Sequence, residues 1–382
     1  MKYFAPKVVV TLSLLIISMM AHAAKDQDNL ITTAVNAFME KHHIPGVAVE
    51  VYRGGEPSSY YFGYANREKK IPVSAHTIFE VGSIAKLMTS LLLAQEVDFA
   101  KVQLDTPLKQ VLPELPLSMD HITLGMLATH TSGFPIDVPK SITNRAELDK
   151  YLNEKGTALN TNKQWQYSNF GVGMLSLALE NQTQKDFNQL YRNHILNPLG
   201  MHDVPLRLSN RLKAQFAQGY DKNNRPAKAT EAGLFQAANV KLSPADMQRF
   251  LGASIGLPNT PTRILYPMRM TQSVYVKLPS WAQGLGWQIH PLTKHDKVLT
   301  DKNFNILAPQ KVAEIETRPY FDGNALIDKT GATQGFRAYI AVLPNKQSGI
   351  VILTNKYVGN QDIVNLGRDI LFQLAKKQDV KV

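Results

Sequence analysis

The chain has 382 residues, 44% of them hydrophobic, with no cysteine and a formal net charge of +11. This length and apolar content allow a substantial core. The lack of cysteine excludes disulfides, thiolate catalysis and thiolate metal ligation. The basic residues are scattered except for Lys376, Lys377 and Lys381, so they read as a solvated surface that steers small anions modestly, not as a nucleic-acid-binding face.

Lys2 and Lys7 flank the start of a mostly apolar run over residues 8–20, and Ala21-His22-Ala23 follows as a small-x-small site. The run is too short to span a bilayer as a mature helix. Residues 1–23 are therefore expected to be a cleaved secretory signal, with the mature chain starting near Ala24 in a bacterial periplasm. Losing Lys2 and Lys7 lowers the charge by two, to +9. No later stretch is long and apolar enough to span a membrane, and no lipid-attachment cysteine is present. The mature protein is expected off the membrane, as a monomer.

Residues 29–42 carry apolar positions at helical spacing (Ile31, Ala34, Val35, Phe38) and end before Pro45-Gly46. Residues 47–52 and 60–64 read as strands around the turn residues Gly54-Gly55-Glu56-Pro57. A long apolar helix is expected over 84–99, just after Gly82-Ser83. Helical patterns follow at 124–129, 172–180, 187–195 and 244–251. Near the end of the chain, strands are expected at 325–329, 336–343 and 350–354, then an amphipathic helix over 363–376. The pattern predicts an α+β fold: an antiparallel sheet built from both chain ends and flanked by helices, plus a mostly helical lobe. One catalytic domain would fill 24–382, with the sheet lobe at about 24–95 and 286–382 and the helical lobe at about 96–285. The cleft between the lobes is the natural place for a site.

Three motifs fall at element junctions. Ser83-Ile84-Ala85-Lys86 opens the apolar helix, and no other serine here is followed three residues later by lysine. Three residues apart on a helix, the two side chains share a face. A serine hydroxyl needs a nearby base, and a desolvated lysine loses its proton more readily than one in water. The helix N-terminus also favours negative charge developing near Ser83. S-x-x-K alone is common; here its setting carries the weight.

Tyr-x-Asn occurs four times, at Tyr64, Tyr151, Tyr167 and Tyr191. Only Tyr167-Ser168-Asn169 falls in a polar loop leading into a helix, where a phenol and an amide can reach one cleft. A phenol near two lysines can shuttle protons. Lys329-Thr330-Gly331 occurs once, with Lys329 closing a strand and Gly331 permitting close backbone approach. The backbone N–H groups of Ser83 and Ala332 are a candidate oxyanion hole, in which one donor is typically worth about 3–4 kcal/mol. Taken singly, the last motif also reads as a polar strand end.

In this order the three motifs resemble those of class C serine β-lactamases, the cephalosporinase type, in the superfamily of penicillin-binding proteins. Phe79-Glu80-Val81-Gly82-Ser83, Leu127-Ala128-Thr129-His130-Thr131-Ser132-Gly133, Pro198-Leu199-Gly200-Met201, Gly284-Leu285-Gly286-Trp287, Lys329-Thr330-Gly331-Ala332-Thr333 and Leu353-Thr354-Asn355-Lys356 carry the resemblance across the mature chain. It implies hydrolysis of penicillin- and cephalosporin-type β-lactams through a serine acyl-enzyme, and hence antibiotic resistance. It further implies that Ser83 attacks the lactam carbonyl, that Lys86 and Tyr167 move protons, and that Tyr167 helps water cleave the ester. By the same resemblance Asn169 binds the acylamino side chain. Lys329 and Thr330 hold the phenol network and the substrate carboxylate, with Gly331 beside them and Asn360 near that carboxylate. No cofactor or metal is implied, and no H-x-H-x-D cluster is present.

Four positions depart from the family. Asp137 stands where glutamine is usual, and its carboxylate is expected to repel anionic side chains. Ala238 replaces a pocket tyrosine. Ile363 falls where a basic residue often binds carboxylate, and Tyr357 where asparagine is common. Two other readings share the motifs. One is a D-alanyl-D-alanine carboxypeptidase or esterase, whose third motif often carries histidine in place of Lys329 or is lost. The other is a non-hydrolytic penicillin-binding sensor that traps the acyl-enzyme. Turnover of a chromogenic cephalosporin, together with an intact mass, separates the three.

Overall fold

The computed structural model describes residues 7–155, 164–204, 210–230, 240–292 and 306–379. Near the N-terminus, β1 (Gly46–Arg53), β2 (Glu56–Asn66) and β3 (Ile71–Pro72) form an antiparallel meander. Three short strands follow, β4 (Phe79–Glu80), β5 (Gln164–Trp165) and β6 (Lys241–Leu242). Then come β7 (Ser273–Lys277), β8 (Ala282–Gln283), β9 (Gln288–His290), β10 (Gln310–Lys311) and β11 (Glu314–Phe321). The last three are β12 (Leu326–Ala332), β13 (Arg337–Leu343) and β14 (Ser348–Thr354).

Ten of these strands make one antiparallel sheet in the order β11-β7-β8-β9-β12-β13-β14-β1-β2-β3. The N- and C-terminal parts of the chain meet where β14 pairs with β1, as Val47 opposite Thr354 and Val51 opposite Ile350. Two small ladders, β4 with β6 and β5 with β10, lie outside the sheet and lead into Ser83 and Tyr167 respectively.

The sheet lobe takes more of the chain than the sequence pattern implied. β7 and β8 lie inside the stretch 96–285 assigned to the helical lobe, yet they extend the main sheet. Helix Pro244–Ile255 from the same stretch packs on β1 and β14. The strands at 273–283 are too short for a period-two signal to stand out.

Alternation along the strands divides the core in two. On β13, Ala338, Ile340 and Val342 face the core that contains helix Ala85–Asp98, whereas Tyr339, Ala341 and Leu343 face the one covered by helices Lys7–His42 and Asn360–Asp379. Helix Ala85–Asp98 is buried continuously from Ala85 to Gln95. Its mostly apolar faces explain that burial, and Lys86, Thr89, Ser90 and Gln95 are buried with them. Helix Lys7–His42 runs without a break through Ala21–Ala23. Among the described residues no helix is long and apolar enough to cross a membrane.

Candidate active site

Ser83 occupies a single 3-10 turn, Gly82–Ile84, that continues directly into helix Ala85–Asp98. The helical backbone brings Lys86 back over the preceding turn, so its Nζ donates to Ser83 Oγ at 3.0 Å. Lys86 is only 6% exposed. Burial lowers its pKa to about 7, partly opposed by the negative charge of Asp137. Near neutral pH a large fraction of this amine is therefore unprotonated and can act as a base.

Tyr167 is held by the chain on either side. The Gln166 N–H donates to the His130 carbonyl at 2.9 Å. Ser168 caps helix Asn169–Thr183 by accepting from the Gly171 N–H at 2.7 Å. The ring packs in a cluster with Trp165 and Trp281, and the His130 ring lies 4.8 Å away, centroid to centroid. So fixed, Tyr167 OH donates to Ser83 Oγ at 2.5 Å. Lys86 Nζ and Lys329 Nζ lie 5.1 and 4.8 Å from the phenol ring centroid.

Lys329 was expected to close its strand, but β12 runs on through Thr330 and Gly331 to Ala332. β13 pairs with it as far as Ala332, whereas β9 pairs only with Leu326 to Asp328. Among the described residues, one edge of 329–332 thus has no strand partner and lies beside the Gly82–Ile84 turn. Such an edge can pair with an extended ligand. Lys329 is 2% exposed, and its pKa is lowered by burial; Tyr167 opposes the shift and Lys86 adds to it.

Two glycines let the turn and the strand touch. A Cβ on Gly331 would sit 1.9 Å from the Val81 carbonyl oxygen. One on Gly82, whose φ is +52°, would sit 2.5 Å from the Ala332 nitrogen. The backbone of Gly82, next to Ser83, therefore lies against that of Ala332.

Asn169 starts its helix beside the loop 135–137, where its N–H donates to the Ile136 carbonyl at 2.6 Å. Its Nδ2 donates to Asp137 Oδ1 at 2.6 Å. Thr330 is half-buried and pairs with Tyr339. Asn360 is exposed as the first residue of helix Asn360–Asp379. The sequence-derived residues thus fall into a bonded group (Ser83, Lys86, Tyr167), a strand beside it (Lys329, Thr330, Gly331, Ala332), an amide–carboxylate pair (Asn169, Asp137) and Asn360 at a helix start.

The departures acquire physical content. Ile363 is fully buried in the core under the C-terminal helix, so apolar packing explains why no cation stands there. Tyr357, 42% exposed, lies over the Arg337 guanidinium at 3.9 Å. Arg337 extends from β13 opposite Ala332 and donates from Nη1 to the carbonyls of Thr333 and Phe336, both at 3.1 Å. Ala238 lies outside the described residues.

Sequence reasoning missed three supports. His130 has a positive φ of 61° and a buried ring whose Nδ1 accepts from the Ser168 N–H at 3.3 Å. Burial, then Lys329 and Lys86, push its pKa well below the usual value, so it stays neutral with its proton on Nε2. Asp328, next to Lys329 but on the opposite face, bonds Arg368 at 2.7 Å, Tyr339 OH at 2.6 Å and His290 at 3.2 Å. The third is Arg337. Only His130 left a sequence signal, as part of the quoted run from Leu127 to Gly133.

The model of the family described as Beta-lactamase matches residues 31–375. The chain belongs to the beta-lactamase family. It is 28% identical to a beta-lactamase of Pseudomonas fluorescens over 91% of this chain and 99% of that one. Among solved structures, a beta-lactamase/D-alanine carboxypeptidase from Pseudomonas syringae is 29% identical with a TM-score of 0.86, covering 91% of this chain and 99% of that chain. A class C beta-lactamase in complex with cefoxitin gives the same identity, TM-score and coverage. The fold and class read from the motifs are those of these relatives. In this member of the beta-lactamase family, Lys86 and Tyr167 meet at the Ser83 hydroxyl, and Lys329 lies against the Tyr167 ring.

Proposed function

We propose that this protein is a class C serine β-lactamase that hydrolyses penicillin- and cephalosporin-type antibiotics, so that its host resists them. One observation carries the reading: Ser83 Oγ is bonded at once to Lys86 Nζ at 3.0 Å and to Tyr167 OH at 2.5 Å. An amine with a pKa of about 7 and a phenol on one hydroxyl form an activated nucleophile with two proton carriers.

In the first step Ser83 Oγ attacks the lactam carbonyl carbon. Its proton passes to the neutral amine of Lys86 or through the Tyr167 oxygen. The carbonyl oxygen takes up negative charge, met by the N–H groups of Ser83 and Ala332. The C–N bond breaks and the relayed proton goes to the leaving nitrogen. In the second step water attacks the ester carbon; its proton passes through the Tyr167 oxygen to the neutral amine of Lys86 and from there to Ser83 Oγ as the ester C–O bond breaks, which frees Ser83. Lys329 and Thr330, with Asn360, hold the substrate carboxylate and keep cationic charge beside the phenol. Asn169 faces the acylamino side chain.

The exported form begins near Ala24 after signal cleavage, acts in the periplasm and is monomeric. The second reading, a D-alanyl-D-alanine carboxypeptidase, is favoured by the likeness to the Pseudomonas syringae protein, which carries both activities in its name. The test incubates purified protein with a chromogenic cephalosporin and with a D-Ala-D-Ala peptide, with intact mass taken during turnover. Sustained cephalosporin hydrolysis that Ser83→Ala lowers by about 10⁴-fold or more is expected. Peptide cleavage without cephalosporin turnover would move the assignment to the second reading, and a stable adduct to a sensor.

A further inference from the structure

The bond between Asn169 and Asp137 changes what this part of the site can accept. Asn169 spends an Nδ2 hydrogen on Asp137 Oδ1 at 2.6 Å. The amide orientation is fixed by its partner, because an amide oxygen turned towards a carboxylate would be repelled. Asn169 Oδ1 and Asp137 Oδ2 have no hydrogen-bond donor among the described residues. Both groups reach solvent, Asp137 being exposed and Asn169 half-buried. One donor hydrogen is left against two free acceptor atoms and a full negative charge. That set suits a group with several N–H donors and positive charge, and it opposes an anion.

The charge of Asp137 also acts inside the site. It is the anion that opposes the fall in the Lys86 pKa, so its field reaches the nucleophile's base. Lys86, near neutrality around pH 7, offsets it only in part.

We propose that Asp137, together with the Asn169 amide it holds, makes this protein select β-lactams whose acyl side chain carries an ammonium group and disfavour those whose side chain carries a carboxylate. The selection rests on the proposed function, since the acyl side chain is placed at Asn169 by that reading. It concerns the side chain only; the ring carboxylate is met at the other end, by Lys329 and Thr330.

The test uses three penicillins that share the phenylacetyl side chain and differ at its α-carbon, which carries an ammonium, a hydrogen or a carboxylate. Rates are taken at a pH where the amine is protonated, and each kcat/KM is divided by that of the neutral penicillin. An exposed unit charge at close range changes such a ratio by about fivefold in either direction. The wild-type protein is expected to favour the ammonium and disfavour the carboxylate by that factor. In Asp137→Asn both ratios are expected to fall within about twofold of unity, and in 0.5 M salt the wild-type ratios should shrink in the same direction. Unchanged ratios in Asp137→Asn overturn the proposal, as does a wild-type preference for the carboxylate. If no penicillin is turned over, hydrolysis fails as a function. The charge order is then read from the rate of covalent acylation by intact mass, or from competition for binding where no adduct forms, and the same ratios decide.

Discussion

The α-carbon of Gly331 lies so close to Val81 that a side chain of even one carbon would enter the Val81 carbonyl, at 1.9 Å. Strand β12 and the turn carrying Ser83 are thereby locked at backbone contact. The position of Ala332 relative to Ser83, and with it the oxyanion hole proposed from their N–H groups, depends on that lock.

Gly331→Ala is therefore expected to force the turn and the strand apart. Over-packing of this kind costs about 1–3 kcal/mol of stability, and loss of one aligned oxyanion donor costs about 10²–10³ in kcat. Thermal unfolding and steady-state kinetics check both. A variant with lowered stability and unchanged kcat would show that the contact supports the fold alone.

Lys86 links activity and stability in opposite senses. Its pKa falls from 10.5 to about 7, chiefly by burial, so acylation should rise with pH through about 7 as the free amine forms. The unfolded chain binds the extra proton between about 7 and 10.5, so this lysine makes folding less favourable at low pH and relieves that cost as pH rises across the window. Lys86→Met should abolish turnover while raising stability at pH 6 by on the order of 1–2 kcal/mol. Denaturant unfolding of both proteins at pH 6 and pH 10 measures it; a variant less stable than wild type at pH 6 would contradict the desolvation account.

The chemistry of the site was legible because its residues come in short local patterns. Ser83 and Lys86 are three apart on a helix, and Lys329-Thr330-Gly331 stands alone in the chain. What was not legible depends on distant contacts. β12 continues past Lys329 because β13 pairs with Thr330, Gly331 and Ala332, although glycine by itself disfavours strand. Asp328 and Arg368 are forty residues apart, and neither sits in a pattern that names the other. Ile363 looked like a lost cation; its burial under the C-terminal helix could only be seen once that helix was packed on the sheet.

The Asp328–Arg368 pair anchors the back of the strand that carries Lys329. Burial by itself would raise the Asp328 pKa, but Arg368 and then His290 overcome this and hold the carboxyl well below its usual range. Arg368→Met leaves that carboxylate buried without its main partner and should cost about 3–5 kcal/mol at pH 7. A carboxyl with a lowered folded pKa stabilises above its unfolded value and loses that contribution as pH falls. Wild-type stability should thus decline below about pH 4, whereas the variant, whose unpaired carboxyl prefers its proton, should lose less on acidification. Urea unfolding at pH 7 and pH 3.5 tests the sign. An equal acid response in the two proteins would remove the pair from this role.

Glu50 is the counterpart on the far side of the sheet. It is fully buried on β1 and accepts hydrogen bonds from Ser59 at 2.6 Å, Gln248 at 2.8 Å and Tyr61 at 3.0 Å. Burial outweighs those bonds and raises its pKa from 4.5 to about 7. The folded state thus holds the proton that the unfolded chain releases between about 4.5 and 7, and stability falls as pH rises through that window. The shift corresponds to about 3 kcal/mol. Glu50→Gln keeps a polar side chain for the same partners and removes the ionisation, so it should flatten stability between pH 5 and pH 8 and raise the melting temperature at pH 8. Because Lys86 acts with the opposite sign at higher pH, the double variant Glu50→Gln with Lys86→Met should lose both the decline that Glu50 contributes through about 4.5–7 and the rise that Lys86 contributes through about 7–10.5. A decline from pH 5 to pH 8 persisting in Glu50→Gln would place the responsible carboxyl elsewhere.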